Sequence, residues 1–120
     1  MGKFRPTQDN IVGRHARKAA TIIEERGWVQ GMLENEQGQV CLMGAFDRAV
    51  SPIHKTQRLA LGCVFTTRFG QWMEEHYPDD APVGSYGWRN APAWNDGVFK
   101  TQEETVSWLT KFADDLDPQR

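Results

Sequence analysis

The first strongly periodic stretch of the chain covers residues 9–26. Its apolar residues recur three and four positions apart, which is the period of an amphipathic α-helix, and they are Val12, Ala16, Ala19, Ala20 and Ile23. Asp9 or Thr7 can cap the start of this helix. Gly27 follows its last turn, and glycine enters the left-handed conformation at little cost. The pattern therefore predicts a helix that stops at Gly27.

A second, longer helix is predicted over residues 52–77. Its apolar and aromatic positions again recur at helical spacing. Ser51 and Pro52 form a typical start, with serine as the cap and proline in the first turn. Gly62 interrupts the stretch, and glycine inside a helix costs about 1 kcal/mol relative to alanine. We therefore expect close packing or a bend near Gly62.

The last helix has the clearest start signal in the chain. Thr101-Gln-Glu-Glu104 is a capping box, in which the threonine and glutamate side chains satisfy free backbone N–H groups. Its apolar face follows, and Pro118 closes it; the residues of that face are Val106, Leu109, Phe112, Ala113 and Leu116. A shorter helical segment is predicted over residues 43–50.

The remaining segments lack a helical period. Within residues 28–42, apolar residues lie on both sides of a polar stretch that contains Gly38. This pattern predicts a short two-stranded hairpin. Residues 78–100 combine prolines, glycines and aromatic residues, so we expect a long loop that packs on the core or binds a partner. The predicted fold is mainly α: a flexible lead-in at residues 1–8, then one compact domain, residues 9–117, with three to four principal helices and one hairpin.

The composition suits one folded domain. Hydrophobic residues make up 39% of the 120 residues and aromatic residues 11%, which is enough for one core. Cys41 and Cys63 do not form a CxxC pair, a usage typical of reduced thiols in a cytoplasmic protein. No apolar run approaches the roughly 18 residues of a membrane span. We therefore expect a cytoplasmic protein without membrane contact.

The charge disfavours nucleic acid as the main partner. The formal net charge is −2, whereas binding driven by phosphates needs excess positive charge. The start of the chain is nevertheless basic and its end acidic, so the two can attract each other within one molecule or between two. A nucleic-acid-binding module remains the second alternative function, and its candidate residues are Lys3, Arg5, Arg14, Arg17 and Lys18.

Cys41 defines the first alternative, a cysteine-nucleophile enzyme. Its position just before a predicted helix would lower the pKa of the thiol through the helix dipole. A nucleophilic cysteine also needs a base and often an orienting amide or carboxylate. His54 or His76 could act as the base, and Asn95 or Asp96 could orient it. The simpler interpretation, which we favour, is that Cys41 is a small buried apolar residue.

No metal site and no cofactor is expected. The histidines and cysteines lack the spacing of common metal motifs, and neither a phosphate-binding nor a dinucleotide-binding glycine motif is present. Paired carboxylates such as Glu74-Glu75 are adjacent on predicted helices, so they point about 100° apart. They are typical of solvated helix faces.

The aromatic loop supplies the candidate contact residues for a partner. Tyr86, Trp88, Arg89 and Trp94 lie in residues 78–100, where they could form a binding surface. Trp94-Asn-Asp-Gly97 also suits a rigid corner that leads into the last helix, because asparagine and aspartate brace turns. The structural interpretation of that tetrapeptide is preferred.

The chain resembles a family of short proteins of unknown function from actinobacteria and their bacteriophages. The resemblance covers residues 16–113, and an insertion specific to this chain is expected in residues 78–92. The matching residues are Ala20-Thr-Ile-Ile-Glu-Glu-Arg-Gly-Trp28, Gln30-Gly31, Gly38, Cys41-Leu-Met-Gly-Ala45, Trp94-Asn-Asp96, Thr101 and Glu104-Thr-Val106. The resemblance implies no activity, cofactor or catalytic residue; it implies an accessory protein, phage- or actinobacterium-encoded.

The expected function is therefore that of a small non-enzymatic accessory binding protein that acts through protein contacts. The aromatic content without a catalytic set motivates this expectation. Its partner would be another protein, such as a host component, and self-association remains open.

Overall fold

The computed structural model describes residues 8–77 and 90–118 of the chain. Across these residues the chain forms five helices and no strand: α1 (Gln8–Arg26), α2 (Leu42–Ala49), α3 (Lys55–His76), α4 (Ala91–Gly97) and α5 (Gln102–Leu116). The predicted mainly α globule is confirmed, with five helices where three to four were expected. Gln8 already belongs to α1, and the rest of the predicted lead-in lies outside the described residues.

Helices α1 and α5 pack along each other and form one side of the core. Gly13 permits a close approach between them, because a Cβ there would come within 2.8 Å of the Asp117 Cβ and 2.9 Å of the Leu116 Cβ. Arg17 spans the same contact and pairs with Asp114 at 2.8 Å and Asp117 at 3.0 Å. The basic start and the acidic end of the chain are thus joined within one molecule.

A cluster of phenylalanines fills the space between α1–α5 and the other helices. Phe46 from α2 stacks on Phe65 from α3 with ring centroids 4.2 Å apart. Phe69 and Phe112 meet edge to face at 5.2 Å, so α3 and α5 share the same cluster. All four side chains are fully buried. Aromatic pairs in these geometries add to the free energy gained from burying their area.

The predicted start of the long helix is wrong. Ser51 and Pro52 lie in a turn, closed by the Ile53 N–H donating to the Val50 carbonyl oxygen at 2.8 Å. Helix α3 begins three residues later, and the His54 ring accepts from the Thr56 N–H as its cap. The turn directly follows Val50, which is the C-cap of α2 and is 1% exposed in the core.

The close packing expected at Gly62 is absent. Helix α3 runs from Lys55 to His76 without interruption. A Cβ on Gly62 would meet no atom within 4 Å, so this glycine does not serve a close contact.

The predicted hairpin over residues 28–42 does not form. Val40 makes only isolated bridges, parallel to Trp28 and antiparallel to Glu34. The Val40 N–H donates to Gly27 O at 3.0 Å, while Cys41 N–H donates to Leu33 O at 3.2 Å. Val40 is therefore one extended residue held between Trp28 and Glu34. The chain between Trp28 and Glu34 contacts α4 instead.

Helix α4 was missed within the predicted loop of residues 78–100. Asn90 caps it by accepting from the Ala93 N–H, and Pro92 occupies the first turn. Residues 78–89 lie outside the described part of the chain. At the end of the fold, the predicted α5 start is confirmed: Thr101 accepts from the Glu104 N–H at 3.1 Å, and Glu104 accepts from the Lys100 N–H at 2.8 Å.

Within residues 8–77 and 90–118, no helix combines the length and the apolar character needed to cross a membrane.

Gly13→Ala should destabilise the protein even though alanine favours helices. The added methyl group would overlap Asp117 and Leu116, and overpacking of this kind costs about 1–3 kcal/mol. Gly62→Ala is the matched control on α3, where the new methyl group meets open space. It should raise the free energy of unfolding by up to about 1 kcal/mol. Urea denaturation measures both; equal effects of the two substitutions would contradict the close α1–α5 contact.

Candidate functional site

The side chain of Asn95 on α4 is the centre of the most extensive polar cluster in the described residues. Its Oδ1 accepts from the Trp28 indole N–H at 2.8 Å and from the Leu42 N–H at 3.1 Å. Its Nδ2 donates to the Val29 carbonyl oxygen at 3.2 Å and to Asp96 Oδ1 at 2.8 Å. Asn95 is fully buried. All four hydrogen-bonding positions of its amide are thus in use.

The complete hydrogen bonding of its amide explains how Asn95 is tolerated inside the core. A buried amide without partners costs several kcal/mol, whereas a fully paired one stabilises a single arrangement of the groups around it. The partners of Asn95 come from the loop after α1, from the start of α2 and from α4 itself. The amide therefore fixes three elements relative to one another.

Gln30 and Asp96 extend the cluster on its solvent side. Gln30 Nε2 donates to the Asn95 carbonyl oxygen at 3.0 Å and to the Phe99 carbonyl oxygen at 2.9 Å, which satisfies two carbonyls beside the end of α4. Asp96 Oδ1 accepts from the Gly31 N–H at 3.0 Å. The φ angle of Gly31 is +79°, a value that favours glycine. We call Trp28, Gln30, Gly31, Asn95 and Asp96 the Asn95 network.

Cys41 and Gly44 hold the other end of the same loop. Cys41 is the N-cap of α2, and its Sγ accepts from the Gly44 N–H at 3.3 Å. A Cβ on Gly44 would overlap the Leu33 carbonyl oxygen, so the loop can lie this close only to glycine. The loop between Trp28 and Cys41 is therefore fixed at both ends.

A cleft of about 220 Å³ opens between this loop, the start of α2 and α4. We call it the motif cleft. The Met32 side chain is 51% exposed and that of Leu33 60% exposed on its rim. Among the described residues that line it, Asp96 alone is charged. The lining residues are Gly31, Met32, Leu33, Cys41, Met43, Pro92, Asn95 and Asp96.

The environment of Cys41 opposes the thiolate form. Burial raises the pKa of the Cys41 thiol, and the nearby Asp96 carboxylate raises it further. Hydrogen bonds from backbone N–H groups, including that of Gly44, oppose the shift without cancelling it. The thiol is therefore protonated near neutral pH, and its sulfur serves as a helix cap.

The residues of the predicted thiol site are only partly brought together. Cys41, Asn95 and Asp96 line the motif cleft, and no histidine is among its lining residues within the described chain. His54 caps α3 instead. His76 donates from Nδ1 to the Trp72 carbonyl oxygen at 2.8 Å and stacks on the Trp72 ring at 4.1 Å.

The candidate nucleic-acid-binding residues are also only partly brought together on one exposed surface. Arg14 and Lys18 are exposed on α1. Arg17 is held by Asp114 and Asp117, and it also donates to the Asp117 carbonyl oxygen at 2.8 Å. Lys3 and Arg5 lie outside the described residues.

The candidate contact residues of the aromatic loop are mostly outside the described chain. Tyr86, Trp88 and Arg89 fall within residues 78–89. Trp94 is fully buried in the core, and among the described residues its indole N–H has no hydrogen-bond partner. Its ring packs 6.4 Å from that of Phe99. A buried indole offers no surface to a partner, so Trp94 has a structural part. The predicted rigid corner is wrong, however, because Trp94-Asn-Asp-Gly97 forms the last turn of α4.

The described residues include no group of three His, Cys, Asp or Glu side chains arranged to hold a metal ion. The described residues that line the motif cleft offer apolar side chains together with the Cys41 thiol, the Asn95 amide and the Asp96 carboxylate.

Sequence reasoning missed the roles of Trp28, Gln30 and the Met32–Leu33 rim. Trp28 and Gln30 were singled out only through the resemblance, next to Gly31. The available signal was that Gly27-Trp-Val-Gln-Gly31 and Trp94-Asn-Asp96 each combine hydrogen-bonding side chains with apolar ones in a few positions. Nothing in the sequence indicated that the two stretches bind each other.

These features define a small helical domain in which a buried asparagine fastens an interhelical loop. The chain belongs to DUF6197, a family of unknown function, whose model matches residues 7–115. The match covers the whole Asn95 network, and it confirms the resemblance to a family of unknown function. No match was found among curated proteins or among solved structures.

Asn95→Ala should lower the free energy of unfolding by about 2–4 kcal/mol, because it leaves buried polar groups of Trp28, Val29 and Leu42 without partners. Asn35→Ala is the matched control: Asn35 also accepts two backbone N–H groups, but near the surface, where water replaces it. It should cost less than about 1 kcal/mol. Urea denaturation gives both values, and the NMR resonance of the Trp28 indole proton should shift only in Asn95→Ala. Equal costs would contradict the central position of Asn95.

Near neutral pH, iodoacetamide should modify Cys63 rapidly and leave Cys41 unmodified until the protein is unfolded. Cys63 is exposed, whereas Cys41 is 7% exposed and has a raised pKa. Mass spectrometry of the single-cysteine variants Cys41→Ser and Cys63→Ser measures each rate. Rapid labelling of Cys41 in the folded protein would contradict its role as a cap.

The raised pKa also predicts a loss of stability at alkaline pH. The contribution of Cys41 is complete below the pKa of an unfolded cysteine and disappears as pH rises through the raised value. Cys41→Ser removes this titration and keeps an acceptor for the Gly44 N–H. Its stability should therefore fall less steeply on the alkaline side in denaturation curves recorded across pH.

Proposed function

We propose that the protein is a small non-enzymatic accessory binding protein whose contact surface is the motif cleft and its rim, Met32 and Leu33. The single observation that carries the proposal is the exposure of these two adjacent large apolar side chains, 51% and 60%, on a loop fixed at both ends.

The exposure of Met32 and Leu33 supports a contact with another protein. Among the described residues, only Leu59 and Tyr77 are also large, hydrophobic and exposed, and they lie elsewhere on α3 and just after it. Scattered apolar side chains are ordinary on surfaces, but adjacent ones beside an apolar cleft are typical of interaction sites. Methionine suits such a site because its side chain adapts to different partners.

The Asn95 network supports the same proposal through preorganisation. A loop that is already ordered loses little conformational entropy when it binds, so more of its contact energy appears as affinity. Gln30, Gly31 and Gly44 each hold the backbone of this loop against α2 or α4. The hydrogen bonds of the network thus hold the backbone of the loop in place, and the apolar side chains of the rim are exposed to solvent.

The first alternative is a cysteine-nucleophile enzyme that uses Cys41. In its favour, Cys41, Asn95 and Asp96 line one cleft. The raised pKa of the thiol and the lack of a histidine among the described lining residues favour the binding proposal instead.

The second alternative is a nucleic-acid-binding module on α1. Arg14 and Lys18 are exposed there, while the guanidinium of Arg17 is occupied by Asp114 and Asp117. The reduced number of available cations favours the protein-contact proposal. We further propose that the protein acts in the cytoplasm of an actinobacterium or of its phage-infected cell, in keeping with its two free cysteines and with the resemblance.

Affinity capture from an actinobacterial lysate, followed by measurement of Kd with the purified partner, tests the proposed surface. The double variant Met32→Ser, Leu33→Ser should lose at least about tenfold in affinity, because it removes the apolar anchors of the contact. Leu59→Ser is the matched control: Leu59 is 66% exposed but lies on α3, away from the cleft. It should bind as the unaltered protein does.

Thermal unfolding of each variant shows whether the loop is still folded. A partner that binds the double variant and the unaltered protein with the same Kd would contradict the proposal.

A further inference from the structure

A second concave surface, larger than the motif cleft, lies between α1 and the start of α3. Its volume is about 470 Å³, within the usual range for small-molecule sites of roughly 300–1,000 Å³. We call it the α1–α3 groove. Its lining residues are Gln8, Ile11, Arg14, His15, Ile53, Gln57, Ala60 and Leu61. None of them lines the motif cleft.

The walls of the α1–α3 groove are mainly apolar. Ile11 and Ile53 pack against the core with part of their surface left open, and Leu61 is buried to 7% exposure. Ala60 is exposed and contributes only a methyl group. An extended hydrocarbon chain could therefore lie along these side chains and remove both surfaces from water.

Among the described residues that line the groove, Arg14 carries the one permanent charge. Arg14 is exposed, and among the described residues it has neither an ion-pair nor a hydrogen-bond partner. The neighbouring arginine on α1, Arg17, is by contrast neutralised by two aspartates. His15 donates from Nδ1 to the Ile11 carbonyl oxygen at 2.9 Å, so that nitrogen is not available to a ligand. Arg14 is thus the group that would select the charge of an occupant.

We infer that the α1–α3 groove binds a small amphiphilic carboxylate, an alkyl chain of medium length with one carboxyl group. The chain would cover Ile11, Ile53 and Leu61, and the carboxylate would pair with the Arg14 guanidinium. The planar guanidinium matches a carboxylate with two parallel hydrogen bonds, which gives directionality as well as affinity. This inference is independent of the proposed protein contact at the motif cleft.

Titration of the whole protein with octanoate, followed by NMR of the isoleucine and leucine methyl groups, tests the inference. Saturable shifts are expected for Ile11, Ile53 and Leu61. Octan-1-ol, which has the same chain without the charge, should bind at least about tenfold more weakly. Failure of octanoate to cause saturable shifts at millimolar concentration would overturn the inference.

Three variants separate the contributions of charge and shape. Arg14→Gln should weaken octanoate binding about tenfold and leave octan-1-ol binding unchanged. Lys18→Gln removes the same charge from an exposed position on α1 that does not line the groove, so it should change neither. Ala60→Leu, which fills the groove from an exposed helix position, should weaken both ligands. Equal effects of Arg14→Gln and Lys18→Gln would show a nonspecific charge effect and would overturn the inference.

Discussion

The placement of the loop after α1 and of the start of α2 against α4 depends on the buried amide of Asn95. Three of its four hydrogen bonds join Trp28, Val29 and Leu42 to α4, across sequence separations of up to 67 residues, and the fourth goes to Asp96. A buried amide is stable only when every position is paired, so the loop after α1 and the start of α2 have one acceptable placement. Hydrophobic packing alone is less selective, because apolar contacts are not directional.

The second constraint on the fold is the close approach of one backbone segment to another. The Asn95 network depends on this approach. Gly44 lets the Leu33 carbonyl come against α2, and Gly13 lets the end of α5 come against α1. Both contacts leave no room for a methyl group. The two glycines have helical backbone conformations, so their value lies in their small volume; Gly27 and Gly31 serve instead through positive φ angles.

Polar pairing and apolar exposure occur on the same loop, and this combination links the fold to the proposed function. The residues that hold the loop face α4, and the two adjacent residues Met32 and Leu33 face solvent. The α1–α3 groove shows the converse arrangement: the described side chains that line it are mainly apolar, and Arg14 is the one permanent charge among them. The two surfaces thus differ in the chemistry they offer, although both belong to one small domain.

The sequence by itself determined the helices whose signals are local. The apolar period of α1, its stop at Gly27 and the capping box at Thr101 depend on neighbours within a few residues, and each appears where it was predicted. The start of α3, the missing hairpin, helix α4 and the Asn95 network were decided by tertiary structure. Their causes are contacts between distant segments, such as Asn95 with Trp28, and no local pattern of residues records which partner a buried polar group will find.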